Sequence, residues 1–382
     1  MQSEWESVFS KVKKCGSHDS ARYEMRAPEP QIIAVAGGKG GVGKTVFTAM
    51  LGIGLAGFAR RTIVMDLDFS GADLHGCLNM GEWAHSLNSF LNGKCMLSEA
   101  VQPAAQEHLS FIPLHTDFLN PRQITAGSKR RLFAEMKKLK ADYVIIDVGS
   151  ASADVSLDAF LSADHPIVLT TGDLFSVLNT YTFIRRAFVH GIRRLTGSAD
   201  LHAVLETCAR LHDGKSIKPL LQQLERSGEH SPRSELMRAF RSHFRPKVVL
   251  NCFQPNESLH NFMLLAGVIK DYLGVAVENW GRVRYDPAIR KALCRRRPDL
   301  LFTAFSRAGE DVVRLVVRRL LAAEQFASDI RTGTAMVPAT AAETVAETMV
   351  CQKKCMLWHI CPAACEGVQC ARMDVEPMRK TG

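Results

Sequence analysis

The chain of 382 residues is 46% hydrophobic and 23% charged, and it carries a formal net charge of +9 at pH 7. Both fractions are ordinary for a soluble globular protein and exclude a chain of strongly biased composition. The length allows one large α/β domain with additional segments, or two domains. The positive charge favours an anionic partner such as a nucleotide, a nucleic acid or an acidic membrane face.

The N-terminal residues 1–30 are polar and charged and lack the apolar core of a signal peptide. We therefore expect a flexible N-terminal segment in a cytoplasmic protein. The longest apolar run, Val46 to Phe58, is too short to span a bilayer, and we interpret it as a buried helix.

Residues 31–327 alternate short apolar runs with longer helical patterns, which is typical of a mostly parallel, twisted sheet with helices on both faces. The polar stretch 197–245 is interpreted as a helical insertion in this domain. The predicted strands are Ile32–Ala36, Thr62–Asp66, Leu109–Pro113, Tyr143–Asp147, Pro166–Thr170, Lys247–Asn251 and Val275–Val283. The predicted helices are Lys44–Phe58, Lys129–Leu139, Val177–Leu195, Leu201–Glu225, Ser234–Phe244, Leu259–Leu273 and Arg307–Phe326. The last of these has an apolar stripe beside arginines and is expected to pack on the sheet, with a membrane-surface helix as the alternative.

The C-terminal region begins with a linker at residues 328–348, followed by a cysteine-rich module at residues 349–372 and a disordered tail at residues 373–382. In a reducing compartment, such a density of thiols with one imidazole favours Zn²⁺ or an iron–sulfur cluster over disulfides. Redox chemistry and the absence of any special role remain the alternatives, since the spacing matches no standard pair of ligands. The candidate ligands are Cys351, Cys355, His359, Cys361, Cys365 and Cys370.

A phosphate-binding loop is predicted where the first strand ends and the first helix begins. The segment Gly38-Lys39-Gly40-Gly41-Val42-Gly43-Lys44-Thr45 fits the P-loop pattern in the required strand–loop–helix context. Glycines let backbone N–H groups converge on phosphates, and the helix presents its positive end to them. Lys44 is expected to reach the β- and γ-phosphates of ATP, and Thr45 to give its hydroxyl to Mg²⁺.

Two further strands end in carboxylates. Asp66 and Asp68 close the strand that begins at Thr62, and their spacing points both side chains to one side. Asp147 ends the apolar strand from Tyr143, which is the pattern of a Walker B element that holds Mg²⁺ through water. With the loop, these residues predict a site for ATP and Mg²⁺.

Lys39 places a second lysine near the start of the loop, where backbone amides normally suffice. Reaching its own γ-phosphate is awkward from this position, whereas the site of a facing subunit could receive it. There it would act as an arginine finger does, by stabilising the charge of the transition state.

The segment from Gly38 to Thr45 resembles the deviant Walker A motif of the MinD/ParA class of P-loop ATPases, which includes nitrogenase iron protein and Mrp-type iron–sulfur carriers. Asp66 and Asp68, followed by Gly71-Ala72-Asp73-Leu74-His75, resemble switch I of MinD-like proteins. The sequence of this segment is closest to that of the FlhG-like branch, which is associated with flagellar number and polar placement. The similarity covers about Gln31 to Ala323.

The resemblance implies a role for each matching residue. Lys39 would be the signature lysine inserted across an ATP-sandwiched dimer, and Asp68 would orient the attacking water. Asp66 would support the Mg²⁺ shell with Thr45, and Asp147 would be the Walker B acid. The strand that ends in Val248-Val249-Leu250-Asn251 resembles the one whose asparagine contacts adenine. The implied reaction is hydrolysis of ATP to ADP and phosphate.

Several positions depart from the family pattern. Ala151 stands where a glycine senses the γ-phosphate, and Asn79 stands where glycine is usual. Thr171-Gly172 lacks the common proline, and the N-terminus lacks the glutamine-containing helix of FlhG-type proteins. These departures bear on switching and on the rate of hydrolysis rather than on nucleotide binding.

The first functional hypothesis is a MinD/FlhG-like switch that forms an ATP-dependent homodimer and regulates spatial placement or assembly with an unidentified partner protein. It would act in the cytoplasm, with peripheral association at the inner face of the membrane. The second is a metal carrier or redox ATPase of the Mrp or nitrogenase-reductase type. The third is a ParA-like ATPase that binds DNA through paired arginines such as Arg185-Arg186 and Arg193-Arg194.

Overall fold

The computed structural model describes residues 29–69, 71–115, 124–149, 154–196, 232–255, 257, 259–295, 297, 306–322, 324, 349–350 and 369–370. Its main sheet has eight strands. They are β1 (Gln31–Gly37), β2 (Thr62–Leu67), β3 (Gln102–Pro103), β4 (Leu109–Ile112), β5 (Tyr143–Val148), β6 (His165–Thr170), β7 (Lys247–Phe253) and β8 (Glu278–Arg284). A separate two-stranded pair joins β9 (Met349–Val350) to β10 (Gln369–Cys370).

The described helices connect these strands. They are α1 (Lys44–Gly57), α2 (Leu74–Cys77), α3 (Leu87–Leu91), α4 (Ala126–Met136), α5 (Asp154–Ser162), α6 (Leu174–Thr196), α7 (Pro232–His243), α8 (His260–Leu273), α9 (Pro287–Cys294) and α10 (Arg307–Leu315). A 3₁₀ turn covers Leu97–Ala100, and α10 continues as a π-helix over Val316–Leu321. Among the residues described, none of the helices is both long and apolar enough to cross a lipid bilayer.

The strand order is β3-β4-β2-β5-β1-β6-β7-β8, and every pair is parallel except β3 with β4. Because parallel strands share a direction, the carboxyl ends of β1, β2, β5, β6 and β7 meet at one edge of the sheet. In open sheets of this kind, ligands bind outside the carboxyl ends of the strands.

The core consists of two layers, one on each face of the sheet. Alternate residues of β1 point to opposite faces, so Ile32 packs into one layer and Ile33 into the other. The first layer includes α4, α5, α6 and α8, and the second includes α1, α9 and α10. This two-sided burial explains why the strands are near-continuously apolar, and it confirms the predicted α/β class.

Both edges of the sheet are unusual. At one edge, β3 is only two residues long and contains Pro103. At the other, side chains bond the backbone of β8: Arg319 donates to the carbonyl of Asn279 over 2.7 Å, and the N–H of Arg284 donates to Asp311 over 3.0 Å.

Three helices of the first layer are joined at one buried carboxylate. Asp158 of α5 accepts hydrogen bonds from Lys129 of α4 at 2.8 Å, His190 of α6 at 2.7 Å and Arg194 of α6 at 2.6 Å. Burial alone would raise the pKa of Asp158, but the bonds from His190 and Lys129 outweigh it and lower that pKa to about 2. The charged carboxylate of Asp158 therefore links α5 to α4 and α6.

All seven predicted strands are present, with ends within three residues of the predicted ones. The predicted helix 201–225 lies outside the described residues, as does most of the insertion 197–245 apart from α7. The predicted helix Arg307–Phe326 differs in form, since its α-helical part ends at Leu315. Its apolar residues Val312 and Val316 are buried in the second layer, which is the packing that was predicted.

Candidate functional site

The glycine-rich loop, residues 38–43, joins the central strand β1 to α1. Gly41 and Gly43 have φ values of +80° and +88°, in the left-handed region that favours glycine. Gly38 packs directly against α6, since a Cβ there would lie 2.1 Å from the backbone carbon of Asn179. The loop is therefore held against the start of α6 while α1 presents its N-terminus beside it.

Lys44 and Thr45 open α1 and face the end of β5. The side chain of Lys44 is buried, and its positive charge acts on Asp147. The hydroxyl of Thr45 also lies close enough to favour the ionised form of Asp147. The structure thus brings together residues that were predicted from two separate segments of the sequence, the phosphate loop and the end of β5.

Asp147 is fully buried, and neither of its carboxylate oxygens has a hydrogen-bond partner. Burial raises its pKa to about 7, and the charges of Asp68 and Asp73 add to this, while Thr45 and Lys44 oppose it. A buried carboxylate without a partner is costly unless a ligand completes it. Hard cations such as Mg²⁺ take carboxylate and hydroxyl oxygens, so Asp147 and Thr45 form a donor set that fits this ion.

Asp66 lies directly across from Asp147 in the pairing of β2 with β5. One of its oxygens accepts the N–H of Asp68 at 3.0 Å, and the other accepts the N–H of Leu74 at 3.3 Å. Burial and the charge of Asp147 hold the pKa of Asp66 well above its usual range. Asp66 therefore holds the backbone of the segment between β2 and α2 in place. Its contact with the Mg²⁺ shell remains a prediction. Asp68 is half-buried at the same edge.

Lys39 and Asn251 are two further residues that were predicted for this site. Lys39 is exposed and lies near Asp173, whose pKa is lowered first by the Thr171 hydroxyl and also by the Lys39 charge. Asn251, at the end of β7, is buried and donates from Nδ2 to the carbonyl of Val42 at 2.8 Å. The predicted contact of Asn251 with adenine remains a prediction.

Sequence reasoning missed an apolar surface beside the loop, here called the α6 patch. It consists of Leu174, Phe175 and Leu178 on α6, which are 52%, 69% and 51% exposed, and Leu264 on α8, which is 49% exposed. Leu264 lies level with the others because α8 runs beside α6. Asn261 donates to the carbonyl of Gly172, and further along the two helices Tyr272 contacts Tyr181.

A sequence signal for the α6 patch existed. The buried positions of α6 follow a helical stripe through Val177, Phe183 and Ile184. Leu174, Phe175 and Leu178 lie off that stripe, and large apolar residues off the buried stripe indicate an exposed surface.

Several predicted residues lie outside the described part of the chain. Ala151 is among them, as are Cys351, Cys355, His359, Cys361 and Cys365 of the cysteine-rich module. Cys370 lies in β10, for which only the backbone pairing with β9 is described.

Comparison with known proteins gives one family match and several relatives. Residues 30–187 match the family described as an AAA domain. The septum site-determining protein MinD of Buchnera aphidicola subsp. Acyrthosiphon pisum is 30% identical over 150 residues, which is 38% of this chain and 55% of that protein. MinD of Synechocystis sp. is 29% identical over 153 residues, which is 38% of this chain and 55% of that protein. The chain therefore spans about half the length of these curated relatives.

Two solved structures share the fold. MinD of Pyrococcus horikoshii OT3, complexed with Mg-ADP, is similar with a TM-score of 0.51 and 18% identity, covering 77% of this chain and 98% of that one. The cell division ATPase MinD of Pyrococcus furiosus is similar with a TM-score of 0.50 and 17% identity, covering 75% and 98%. At this identity the likeness establishes the fold alone.

Proposed function

We propose, from the match of residues 30–187 to an AAA domain and the similarity to MinD proteins, that this chain is a P-loop ATPase of the MinD/ParA class that hydrolyses ATP and works as a dimerising switch. In the switch, ATP binding brings two copies together and hydrolysis releases them. The observation that carries this proposal is the buried, unpartnered carboxylate of Asp147 beside Lys44 and Thr45.

The residues at the loop are proposed to have different roles in binding the nucleotide. Backbone N–H groups of residues 38–43 and the N-terminus of α1 bind the phosphates. Lys44 would neutralise the β- and γ-phosphate oxygens, and Thr45 and Asp147 are the residues that would hold Mg²⁺. When bound, this ion supplies charge neutralisation on the phosphate chain.

Hydrolysis requires a water molecule aligned with the γ-phosphate. Asp68 is proposed to orient that water from its half-buried place at the same sheet edge. The backbone bonds that Asp66 accepts from Asp68 and Leu74 hold this segment in place. Asp66 therefore supports the catalytic geometry through the backbone, in addition to its proposed part in the Mg²⁺ shell.

The face that meets the second copy is proposed to be the one that carries Lys39. Lys39 is exposed and lies near Asp173, the residue that directly precedes the α6 patch. Exposed apolar surface of this extent typically marks an interaction site. The rim of the patch holds a cation, Lys39, and two exposed acids, Asp173 and Glu257. Across a twofold axis, Lys39 of each copy would then face an acid of the partner's rim.

The switch is tested by measuring molecular mass and phosphate release with ATP and Mg²⁺. Wild type is expected to dimerise and turn over. Asp68→Ala is expected to remain a dimer because hydrolysis no longer releases it, and Lys39→Ala is expected to lose turnover because no cation enters the partner site. The switch would be contradicted if wild type and both variants bind ATP but stay monomeric and release no phosphate.

The substitution Phe175→Ser tests whether the α6 patch lies in the dimer interface. Phe175 is the most exposed large apolar residue of the α6 patch, so its replacement is expected to raise the dimer dissociation constant roughly tenfold or more, as for an interface hot spot. ATP affinity of the monomer should not change. Met96→Ser is the matched control, since Met96 is 62% exposed but lies outside α6 and α8, at the start of the 3₁₀ turn Leu97–Ala100. Equal effects of the two substitutions would rule out this face.

The cellular role is proposed to be spatial or assembly regulation through a partner protein, with placement of flagella or of the division site as the process. The resemblance of residues 66–75 to the FlhG-like switch I supports this role. So does the similarity to MinD relatives whose names assign them to the septum site. The role depends on the switch that the sizing experiment tests.

A further inference from the structure

A cavity lies at the edge of the sheet opposite the phosphate loop, and we call it the amino-edge cavity. Arg61, His108 and Ala141 line it and stand just before β2, β4 and β5, whose parallel pairing brings their amino ends together. Its volume is about 720 Å³, and ligand pockets typically measure roughly 300–1,000 Å³. The residues predicted for ATP and Mg²⁺ lie at the other edge, so nucleotide binding does not account for this cavity.

The buried part of the lining is apolar. Ile63 of β2, Leu109 of β4 and Leu139 before β5 are core residues that also line the cavity. Ala104 and Ala141 line it as well, and their small side chains leave the space open. Apolar surface facing a cavity is covered favourably by an apolar ligand, since both surfaces then leave water. The amino-edge cavity therefore suits a molecule with an apolar body.

The exposed part of the lining is mainly cationic. Arg61, Lys138 and Lys140 line the cavity and are exposed at its rim. Glu107 is the carboxylate among the described lining residues. Its side chain is 86% exposed and lies beside His108, with 3.6 Å between Oε1 and the imidazole Nε2. Three cations against one solvated carboxylate favour an anionic ligand over a cationic one.

Lys140 is the cation that is open to a ligand. Arg61 is held by Asp142, with 2.6 Å between Nη2 and Oδ1, and Lys138 is held by Glu135, with 2.7 Å between Nζ and Oε1. These two pairs offset most of the charge of Arg61 and Lys138. Lys140 lies outside both pairs and is exposed. An ammonium group in this position fits a ligand with one anionic group.

We propose that the amino-edge cavity binds an organic monoanion with an apolar body, of the class of acyl and aromatic carboxylates, whose anionic group pairs with Lys140. The apolar body lies against Ile63, Leu109 and Leu139, and its burial supplies most of the binding free energy. Lys140 orients the ligand and favours anions over neutral molecules of the same shape. Neither contact involves ATP, so this site goes beyond the proposed function.

The test uses two fluorescent dyes that differ in charge. Anilinonaphthalene sulfonate is an apolar monoanion that becomes bright on burial, and phenylnaphthylamine has the same rings without the sulfonate. Each dye is titrated into the full chain. Wild type is expected to bind the anionic dye saturably, and octanoate, an acyl carboxylate, is expected to displace it.

Two lysine variants locate the anionic group of the dye. Lys140→Gln should weaken binding of the anionic dye roughly fivefold, the upper range for an exposed ion pair, and leave the neutral dye unchanged. Lys137→Gln is the matched control, because Lys137 is an exposed lysine of the same connection that does not line the cavity. It should change the affinity of neither dye.

Ala104→Phe tests the apolar part of the site, since a phenyl ring there occupies the space that the small side chain leaves open. It should weaken binding of both dyes, whereas Phe175→Ser on the α6 patch should weaken neither. The two lysine variants decide the question if Ala104→Phe does not fold.

Four results would each overturn the inference. They are no saturable binding of the anionic dye to wild type, no displacement by octanoate, equal affinity of Lys140→Gln and Lys137→Gln for that dye, and loss of dye binding in Phe175→Ser. ATP binding is measured alongside. Because the cavity lies away from the phosphate loop, a failure to bind ATP would overturn the proposed function and leave this inference standing.

Discussion

Asp147→Asn is expected to stabilise the metal-free protein while strongly reducing the proposed ATPase activity. The wild-type carboxylate is buried without a hydrogen-bond partner, and its pKa is raised to about 7, chiefly by burial. Between pH 4 and pH 7 the folded state therefore binds more protons than the unfolded chain, so the free energy of unfolding falls as pH rises. An asparagine carries no charge to bury and removes this pH-dependent loss.

The measurement is chemical unfolding in EDTA across pH 4 to 8. The stability advantage of Asp147→Asn over wild type should grow as pH rises toward 7 and then level off, by a few kcal/mol in total. Turnover with Mg²⁺ should fall roughly a hundredfold or more, because the amide replaces the anionic metal-binding group. A variant that is less stable than wild type at every pH, or one that retains turnover, would contradict the assignment of Asp147.

Asp158→Asn is expected to act in the opposite direction. Asp158 is also buried, but Lys129, His190 and Arg194 donate to it. Losing the carboxylate leaves the partly buried Lys129 without its counter-ion, which should lower the free energy of unfolding by about 3–5 kcal/mol. Since the pKa of Asp158 is lowered to about 2, its contribution is complete above pH 4 and is lost as pH falls through about 2.

The same unfolding assay checks this prediction. The deficit of Asp158→Asn should be fully developed above pH 4 and should shrink as pH falls below 4. Asp142→Asn is the matched control, because Asp142 pairs with Arg61 at 2.6 Å where both side chains are partly exposed. Surface pairs contribute about 0–1 kcal/mol, so the control should change stability little. Equal losses of unfolding free energy in the two variants would mean that the bonds of Asp158 to Lys129, His190 and Arg194 stabilise the fold no more than a surface ion pair does.

The strands and the phosphate loop could be predicted because their signals are local. A strand buried on both faces is a continuous apolar run, as in Tyr143–Val148, and the loop has a fixed spacing of glycines. The short elements could not be predicted in this way. The four-residue α2 and the two-residue β3 are too short for a hydrophobic period to emerge.

The finer features of the site depend on contacts between distant residues. Nothing near Asn251 in sequence indicates that its side chain donates to the carbonyl of Val42, because the two residues are 209 positions apart in sequence. Likewise, the spacing of Asp66 and Asp68 placed both at one edge, but only the structure shows that the oxygens of Asp66 accept backbone N–H groups. Side-chain orientation at a strand end is set by tertiary packing.

The two edges of the sheet have a consequence for how copies of this protein associate. A free edge strand can recruit a strand from another molecule and so lead to uncontrolled polymers. Here one edge ends in the two-residue β3 with Pro103, and the other has backbone groups of β8 already bonded to Arg319 and Asp311. Strand addition is thus discouraged on both sides of the described sheet. Copies of this protein would then associate through side-chain surfaces such as the α6 patch rather than by extending the sheet.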